Sequence, residues 1–492
     1  MNNVQIISLI VILLYFAVTA FTGIYFSRRK REKGAKQSNE EFLMAGKSLG
    51  PWMLAGTLFA ANTGGASTTG VATNVLSQGL SASWYVISAG IGFVIVAYIA
   101  PYFRRSKSST VPEIISKRYG KPSHIFTAFT SITALFMATG AQIIATASII
   151  TVVTGIGFNI AAIVSTVIVI FYTMGGGLKS VAAANVVHVF TITIGMTIAM
   201  FIIVNGDKVG GFDALFEKAR TMTGADGQNL DLLSMSKLGI FTILGYIAMY
   251  SMTFPTGQEI VQTYCSAKSS KTAMVGSILA GILQSAYAII PAIIGLTAYV
   301  CIDGYAAGGQ SRTALADATI QLAPAFVAGL VLAGVVAATI SSAAGNMLGT
   351  ATMFTNDVFR PYIKKGVRDD KQEILVSQVV MTVAGLFGLA VALSGSNIIS
   401  VMMSVFALRS AGPFVAFICG LFYKNVTQRA GFISIVVGTI VAAFWIYGLG
   451  TPWGLSAIVP GSVVALVFIF ACSAFDIKKG IKPAPEIEFE NI

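Results

Sequence analysis

Charge is the scarcest thing in this sequence. Of its 492 residues only 11% are Asp, Glu, Lys or Arg, against about 25% in a soluble domain, too few to cover a water-facing surface. Histidine is nearly missing as well. His124 and His188 are the only two, which excludes a histidine-rich metal cluster. Cys265, Cys301, Cys419 and Cys472 are scattered without paired spacing and read as single thiols packed in or near helices. No polar stretch is long enough for a second soluble domain. No Ser/His/Asp set or carboxylate pair falls within an apolar stretch, so nothing points to an enzyme.

What the chain has instead is apolar length. Hydrophobic residues make up 55% of it, with a mean hydropathy of +0.79. Nearly charge-free stretches recur at about 20 residues, enough to cross a hydrocarbon core about 30 Å thick. Candidate spans cover about 4–26, 50–75, 82–103, 124–153, 158–176, 180–204, 238–256, 272–301, 325–354, 374–394, 397–422, 430–449 and 455–475. A segment in lipid must satisfy its own backbone, and these runs are too continuous for barrel strands, so the expected fold is an all-α integral membrane protein with about 13 transmembrane helices. The stretch 205–237 is external, with a short helix expected at Phe212–Met222.

The net charge of +12 is a matter of topology. With the N-terminus outside, 26 of the 32 Lys and Arg residues fall in cytoplasmic segments. The main groups lie from Arg28 to Lys47, Arg104 to Lys121 and Arg360 to Lys371. That bias sets the orientation by the positive-inside rule and argues against a nucleic-acid partner. The first span runs straight into Arg28, Arg29, Lys30 and Arg31, which reads as a retained helix rather than a cleaved signal. AGKSLG (45–50) ends like a phosphate loop, but Glu41 holds the required glycine position and no strand precedes it.

Two spans carry helix-breaking residues at membrane depth. One contains Ala60-Ala61-Asn62-Thr63-Gly64-Gly65-Ala66-Ser67-Thr68-Thr69-Gly70, and the other ends in Thr253-Phe254-Pro255-Thr256-Gly257-Gln258. Freed carbonyls find no partner in lipid, so such stretches must line an enclosed cavity. The two lie five spans apart, as expected of a transporter site built on inverted repeats. Small residues that merely let helices approach closely are the alternative.

Several segments resemble the sodium:solute symporter family. FLMAGKSLGPW (42–52) is similar to the family's entry into its first core helix, and YTMGGGLKSV (172–181) to its Tyr-Thr-x-x-Gly-Gly-Leu-x-x-Val signature. GQEIVQTYCSAKS (257–269) and ATISSAAGNMLGTATMFTNDVF (338–359) resemble the ends of its sixth and eighth core helices. The resemblance implies a LeuT-like fold with inverted five-helix repeats. A leading helix at 4–26 precedes repeats at 50–204 and 238–422, then trailing helices at 430–475 and a cytoplasmic tail at 476–492. It also implies sodium as coupling ion, a small organic solute as cargo, and residence in the lipid bilayer of the cell membrane. The oligomeric state is left open, and a functional monomer is compatible.

Carried over residue by residue, the family's common sodium site falls on the carbonyls of Ala60, Thr63 and Ala338 and the hydroxyls of Ser341 and Ser342. A hard cation wants such oxygens, although serines in a helix can also bond back to the preceding turn. Solute contacts implied by the resemblance are Asn62, Gly65, Ala66, Ser67, Thr68, Thr139, Gln142 and Tyr250, the last equally readable as a packing aromatic. Family proline transporters have Asp where this chain has Asn62, which argues against proline.

Arg409 sits midway along SVMMSVFALRSAGPFVAF, where a lone cation is costly. Two readings stand: a structural arginine bonded to loose carbonyls near Gly412 and Pro413, or a clamp on a carboxylate. No acidic residue reads as deep in a span, which leaves the solute as partner and points to an anionic or zwitterionic organic acid. Glu259, at a helix end, reads as a solvated charge or a gating partner for Arg or Lys. A neutral solute, proton coupling, or a sodium-responsive sensor or channel are the alternative functions.

Some family members hold a second sodium with an Asp and a further serine pair, positions that here read Asn185, Ala344 and Gly345. One sodium per solute is therefore expected. Paired sodium and solute flux measurements in proteoliposomes check it, and a two-to-one ratio overturns it.

Overall fold

The computed structural model describes residues 3–15, 48–106, 108, 110–224, 227–367 and 369–489, and of 175–187 and 190 the backbone alone. In chain order the helices are α1 Asn3–Tyr15, α2 Pro51–Asn62, α3 Val71–Gln78, α4 Trp84–Val96, α5 Ala100–Arg105, α6 Val111–Thr154 and α7 Phe158–Val204. Then come α8 Phe212–Thr221, α9 Ile240–Thr253, α10 Gln258–Cys265, α11 Ser270–Tyr287, α12 Ile289–Cys301 and α13 Ala314–Leu322. The chain closes with α14 Ala325–Met353, α15 Asp370–Leu393, α16 Ile398–Phe422, α17 Gln428–Tyr447 and α18 Ile458–Lys478. Among the described residues, eight helical stretches are long and apolar enough to cross a membrane, and four more apolar stretches are shorter.

Burial grades these helices. In its most apolar window α14, continued through Ile363, is 78% buried, against 33% for α15 and for α18. α14 is therefore the central post, packed on α6, α7 and α15, while the others border the bundle. Large apolar side chains such as Phe171, Phe387, Phe444 and Val467 face outward. Water would penalise that exterior and lipid accepts it.

Both expected interruptions are present. α2 stops at Asn62, Thr63 leaves helical geometry (φ −88°, ψ 62°), and a wider π-helical turn, Ala66–Gly70, leads into α3. α9 stops at Thr253, and Gly257 is extended (ψ 113°) before α10 begins. Pro255 supplies no N–H for the ladder, and neighbouring glycines tolerate the deviation.

Several span boundaries differ from expectation, and the third span, expected at 82–103, splits into α4 and α5. The fifth and sixth spans join as one helical backbone, α7, through Gly175, Gly176 and Gly177. A glycine costs about 1 kcal/mol in a helix, a preference that tertiary context overrides. The eighth span splits at Ala288 into α11 and α12, because Pro291 cannot donate to the carbonyl of Tyr287 and crowds it. α6 begins before the expected 124 but turns sharply at Gly120, whose φ of +78° suits glycine alone. The expected helix at Phe212–Met222 is α8. The first span beyond Tyr15 lies outside the described residues.

The trailing helices dock through glycine. A Cβ on Gly438 of α17 would lie 2.8 Å from the Cα of Gly412 in α16. One on Gly461 of α18 would lie 2.7 Å from the carbonyl oxygen of Gly438. Small residues let backbones touch where lipid offers no hydrophobic drive. Gly438→Leu should push these helices apart and cost about 1–3 kcal/mol, read as a lowered unfolding temperature in detergent. An unchanged temperature would remove the packing argument.

Candidate functional site

The two interruptions meet at one buried cavity. Ala61, Asn62 and Ala66 reach it from the α2 break, and Phe254, Glu259 and Ile260 from the α9–α10 break. α6 adds Ala138 and Gln142, and α16 adds Met402, Phe406 and Arg409 on one helical stripe. The cavity measures about 20 Å³, room for little more than one water.

Polar groups brace the broken backbone of α2 from inside. The N–H of Gly65 donates to Oε1 of Gln142 at 2.7 Å. Ser67 donates its hydroxyl to the carbonyl of Asn62 at 2.7 Å, and Thr68 donates to that of Gly64 at 2.8 Å. The Thr63 hydroxyl donates to Oε1 of Gln284 on α11 at 3.0 Å. These bonds replace the ladder that the interruption removes.

Of the expected sodium ligands, two touch directly. The Ser342 hydroxyl donates to the carbonyl of Ala60 at 3.0 Å, joining α14 to the last turn of α2. Ser341 and Ala338 are each 2% exposed, and Ala338 lies one turn before Ser342 on the same face. A Cβ on Gly64 would come within 2.8 Å of Ser342 Oγ, so the broken stretch lies against that serine. Neutral carbonyl and hydroxyl oxygens on two facing elements fit a hard monovalent cation. At the positions of the second site, Ala344 and Gly345 carry no hydroxyl, and the side chain of Asn185 lies outside the described residues.

The expected solute contacts divide. Asn62, Ala66, Gln142 and Arg409 line the cavity. Gly65, Ser67 and Thr68 instead take part in bracing the break. Thr139 donates to Leu135 at 2.9 Å, and its methyl would lie 3.2 Å from a Cβ on Gly388, so it faces α15. Tyr250 is fully buried behind the cavity wall, its ring 5.4 Å from Tyr85, 5.3 Å from Phe254 and 5.5 Å from Phe406.

Arg409 corrects the sequence reading. It is not a lone cation awaiting a solute, nor is it bonded to loose carbonyls. Its Nη2 and Nη1 donate to Oε1 and Oε2 of Glu259 at 2.7 and 3.0 Å, a bidentate pair between α16 and α10. The side chains are 2% and 11% exposed. Glu259 is thus neither solvated nor outside the site. The α9–α10 break carries it inward, which a continuous helix would not. Gly257 makes room, since a Cβ there would lie 2.8 Å from Nη2 and 2.9 Å from Oε1. The guanidinium also lies 5.2 Å from the ring centre of Phe406. Two donors on the wall lack partners, Nε of Arg409 and Nδ2 of Asn62.

Sequence reasoning missed Tyr85, Phe254, Phe406 and Asn346 as lining residues. Asn346 was within reach, one turn after Ser342 on the same face of α14. The aromatics carry no such signal, since apolar residues in a membrane helix face any side.

Two interrupted helices meeting at a buried polar cavity make this a secondary transporter of the LeuT-like fold. The sequence model of the sodium:solute symporter family matches residues 42–438, and the chain belongs to that family. It is a sodium-coupled symporter, not an enzyme. A sodium/glucose cotransporter of Vibrio parahaemolyticus is 26% identical over 476 residues, spanning 90% of this chain and 86% of that protein. A sodium/proline symporter of Staphylococcus aureus is 24% identical, spanning 96% and 93%. The substrate-bound, outward-open structure of a sodium-coupled sialic acid symporter shares the fold. Its TM-score is 0.80 at 19% identity, over 98% of this chain and 99% of that one.

Removing one partner of the buried pair strands the other charge, so Glu259→Ala should cost about 3–5 kcal/mol. Glu259→Ala combined with Arg409→Leu should recover much of that loss. Unfolding of the purified variants measures both, and additive losses would contradict the pairing.

Proposed function

We propose that this protein imports a small organic carboxylate, foremost an amino acid, together with one sodium ion, by alternating access across the plasma membrane. Its N-terminus is outside and its C-terminus cytoplasmic, as the charge bias assigns. The observation that carries the solute class is the Arg409–Glu259 pair on the cavity wall. A free guanidinium would favour any anion. With Glu259 already bonded, a net anion places two negative groups beside one cation. A zwitterion brings an ammonium for Glu259 along with a carboxylate for Arg409, and keeps the buried charge balanced. The unpartnered donors on Arg409 and Asn62 suit carboxylate oxygens.

Such a solute exceeds a 20 Å³ cavity, so its entry and the widening of the bundle are one coupled event. The sodium step is supported by the contact between Ser342 and Ala60. These oxygens satisfy each other now. A cation taking both would tie α14 to the break and fix Asn62 and Ala66 around the solute space. Sodium and solute then favour the same arrangement, and each raises the affinity for the other by the same factor. A neutral solute is the second reading, favoured by the sodium/glucose relative, and needs hydrogen bonds alone.

A thermal-shift screen of the purified protein tests this with amino acids, monocarboxylates, dicarboxylates and sugars, each in sodium, potassium or choline. A ligand at a hundred times its Kd adds about 2.7 kcal/mol to the folded state. Stabilisation by an amino acid in sodium alone, lost in Ser342→Ala, is the expected result. A sugar hit moves the reading to the neutral solute. Equal shifts in all three cations remove the sodium step.

A further inference from the structure

Between the central cavity and the basic end of the bundle, three rings are stacked across three helices. Phe103 of α5 lies on Phe417 of α16, with centroids 5.0 Å apart and 7° between planes. It also lies on Tyr264 of α10, at 6.0 Å and 10°. Tyr264 is one turn beyond Ile260, and Phe417 about two turns beyond Arg409, so the stack stands below the cavity wall on both helices. All three rings are buried. The stack fills the space between α5, α10 and α16 on the basic side of the cavity.

The neighbour of Phe103 ties this stack to the chain's last described segment. Tyr102 meets Phe422 of α16 at 5.9 Å and Phe489 at 5.3 Å, both edge to face. Phe489 ends the segment 480–489, which leaves α18 and crosses the basic face without helix. Arg118 anchors it. This arginine is 1% exposed, and its Nη1 donates to the carbonyl of Ala484 at 2.9 Å. Its Nη2 donates to the carbonyls of Tyr423 and Lys424, at 2.9 and 3.2 Å. The N–H of Ala484 donates to Val426 at 2.7 Å, and Ile487 packs against the core. The Lys424–Glu486 pair, 83% and 64% exposed, adds little.

We propose that the segment 480–489 is a strap that holds the three-ring stack closed and sets how often the inner path opens. The strap is held to α6 by Arg118 and to the loop after α16 by the carbonyl of Val426, and it meets α5 through Phe489 on Tyr102. Opening the path requires Phe103 to leave Phe417, and so α5 to part from the inner end of α16. That movement strips Phe489 from Tyr102 or pulls Ala484 off Arg118. The second route leaves a buried guanidinium N–H without an acceptor. The strap adds its binding energy to the closed state alone, which shifts the population away from opening. Its action is independent of which solute is carried.

Cys265 reports on the stack directly, since its thiol donates to the carbonyl of Phe103 at 3.5 Å and it is 3% exposed. The test uses the full chain with Cys301, Cys419 and Cys472 changed to Ser, in inside-out vesicles, with N-ethylmaleimide as the probe. Two variants are compared with it: the chain ended after Lys482, and Phe489→Ala in the intact chain. Cys265 should react about tenfold faster in the shortened chain and about threefold faster in Phe489→Ala, with the unfolding temperature within a few degrees of the parent. Unchanged reactivity in both variants overturns the strap. So does faster reaction accompanied by a large fall in unfolding temperature, which would make the segment a general stabiliser.

Discussion

Backbone that leaves its helix inside a membrane must find new hydrogen-bond partners from the protein itself, and this constraint shapes the whole centre of the molecule. Asn62, Gly64 and Gly65 lose their helical partners where α2 breaks, and Ser67, Thr68 and Gln142 replace them. Those replacements hold polar side chains at the middle of an otherwise apolar bundle. The cavity is the space that remains between them. Even the Ser342–Ala60 contact follows, because a carbonyl near the end of a helix has an oxygen free to accept.

The second break does different work. By bending the chain at Gly257 it brings Glu259 to Arg409, joining two elements that a continuous helix would keep apart. A buried ion pair contributes little net stability, but losing one half of it is severe. The pair therefore acts as a condition on the site: whatever approaches Arg409 must come to terms with Glu259. The cavity wall is thus polar yet charge-balanced.

Around this centre the trailing helices meet by close approach of their backbones. Gly412, Gly438 and Gly461 let α16, α17 and α18 meet backbone to backbone, which fixes the helix that carries Arg409. The aromatic stack of Tyr264, Phe103 and Phe417 uses the opposite device, large flat rings interposed between helices. Rigid packing on one side and separable packing on the other is what a bundle needs if it opens along a chosen seam.

Composition and apolar length determined that the chain is a helical membrane bundle, because lipid permits few alternatives and the signal is spread over hundreds of residues. The two breaks were legible for the same reason: Gly64, Gly65, Pro255 and Gly257 act on their own local backbone. Ser342 and Asn62 were singled out through the family resemblance, Asn62 in the first break and Ser342 in the distant segment 338–359, and the fold brings Ser342 onto the carbonyl of Ala60. The tertiary structure alone decided what depends on residues distant in the chain. Glu259 and Arg409 are 150 positions apart, and no local pattern says that they pair. Thr139 and Gln142 lie on neighbouring turns of one helix, and only the packing of α15 against it turns one away from the cavity. Arg118 and Ala484 are 366 positions apart. A helix sequence states which residues share a face, but which face meets which neighbour is settled by the packing of the whole bundle.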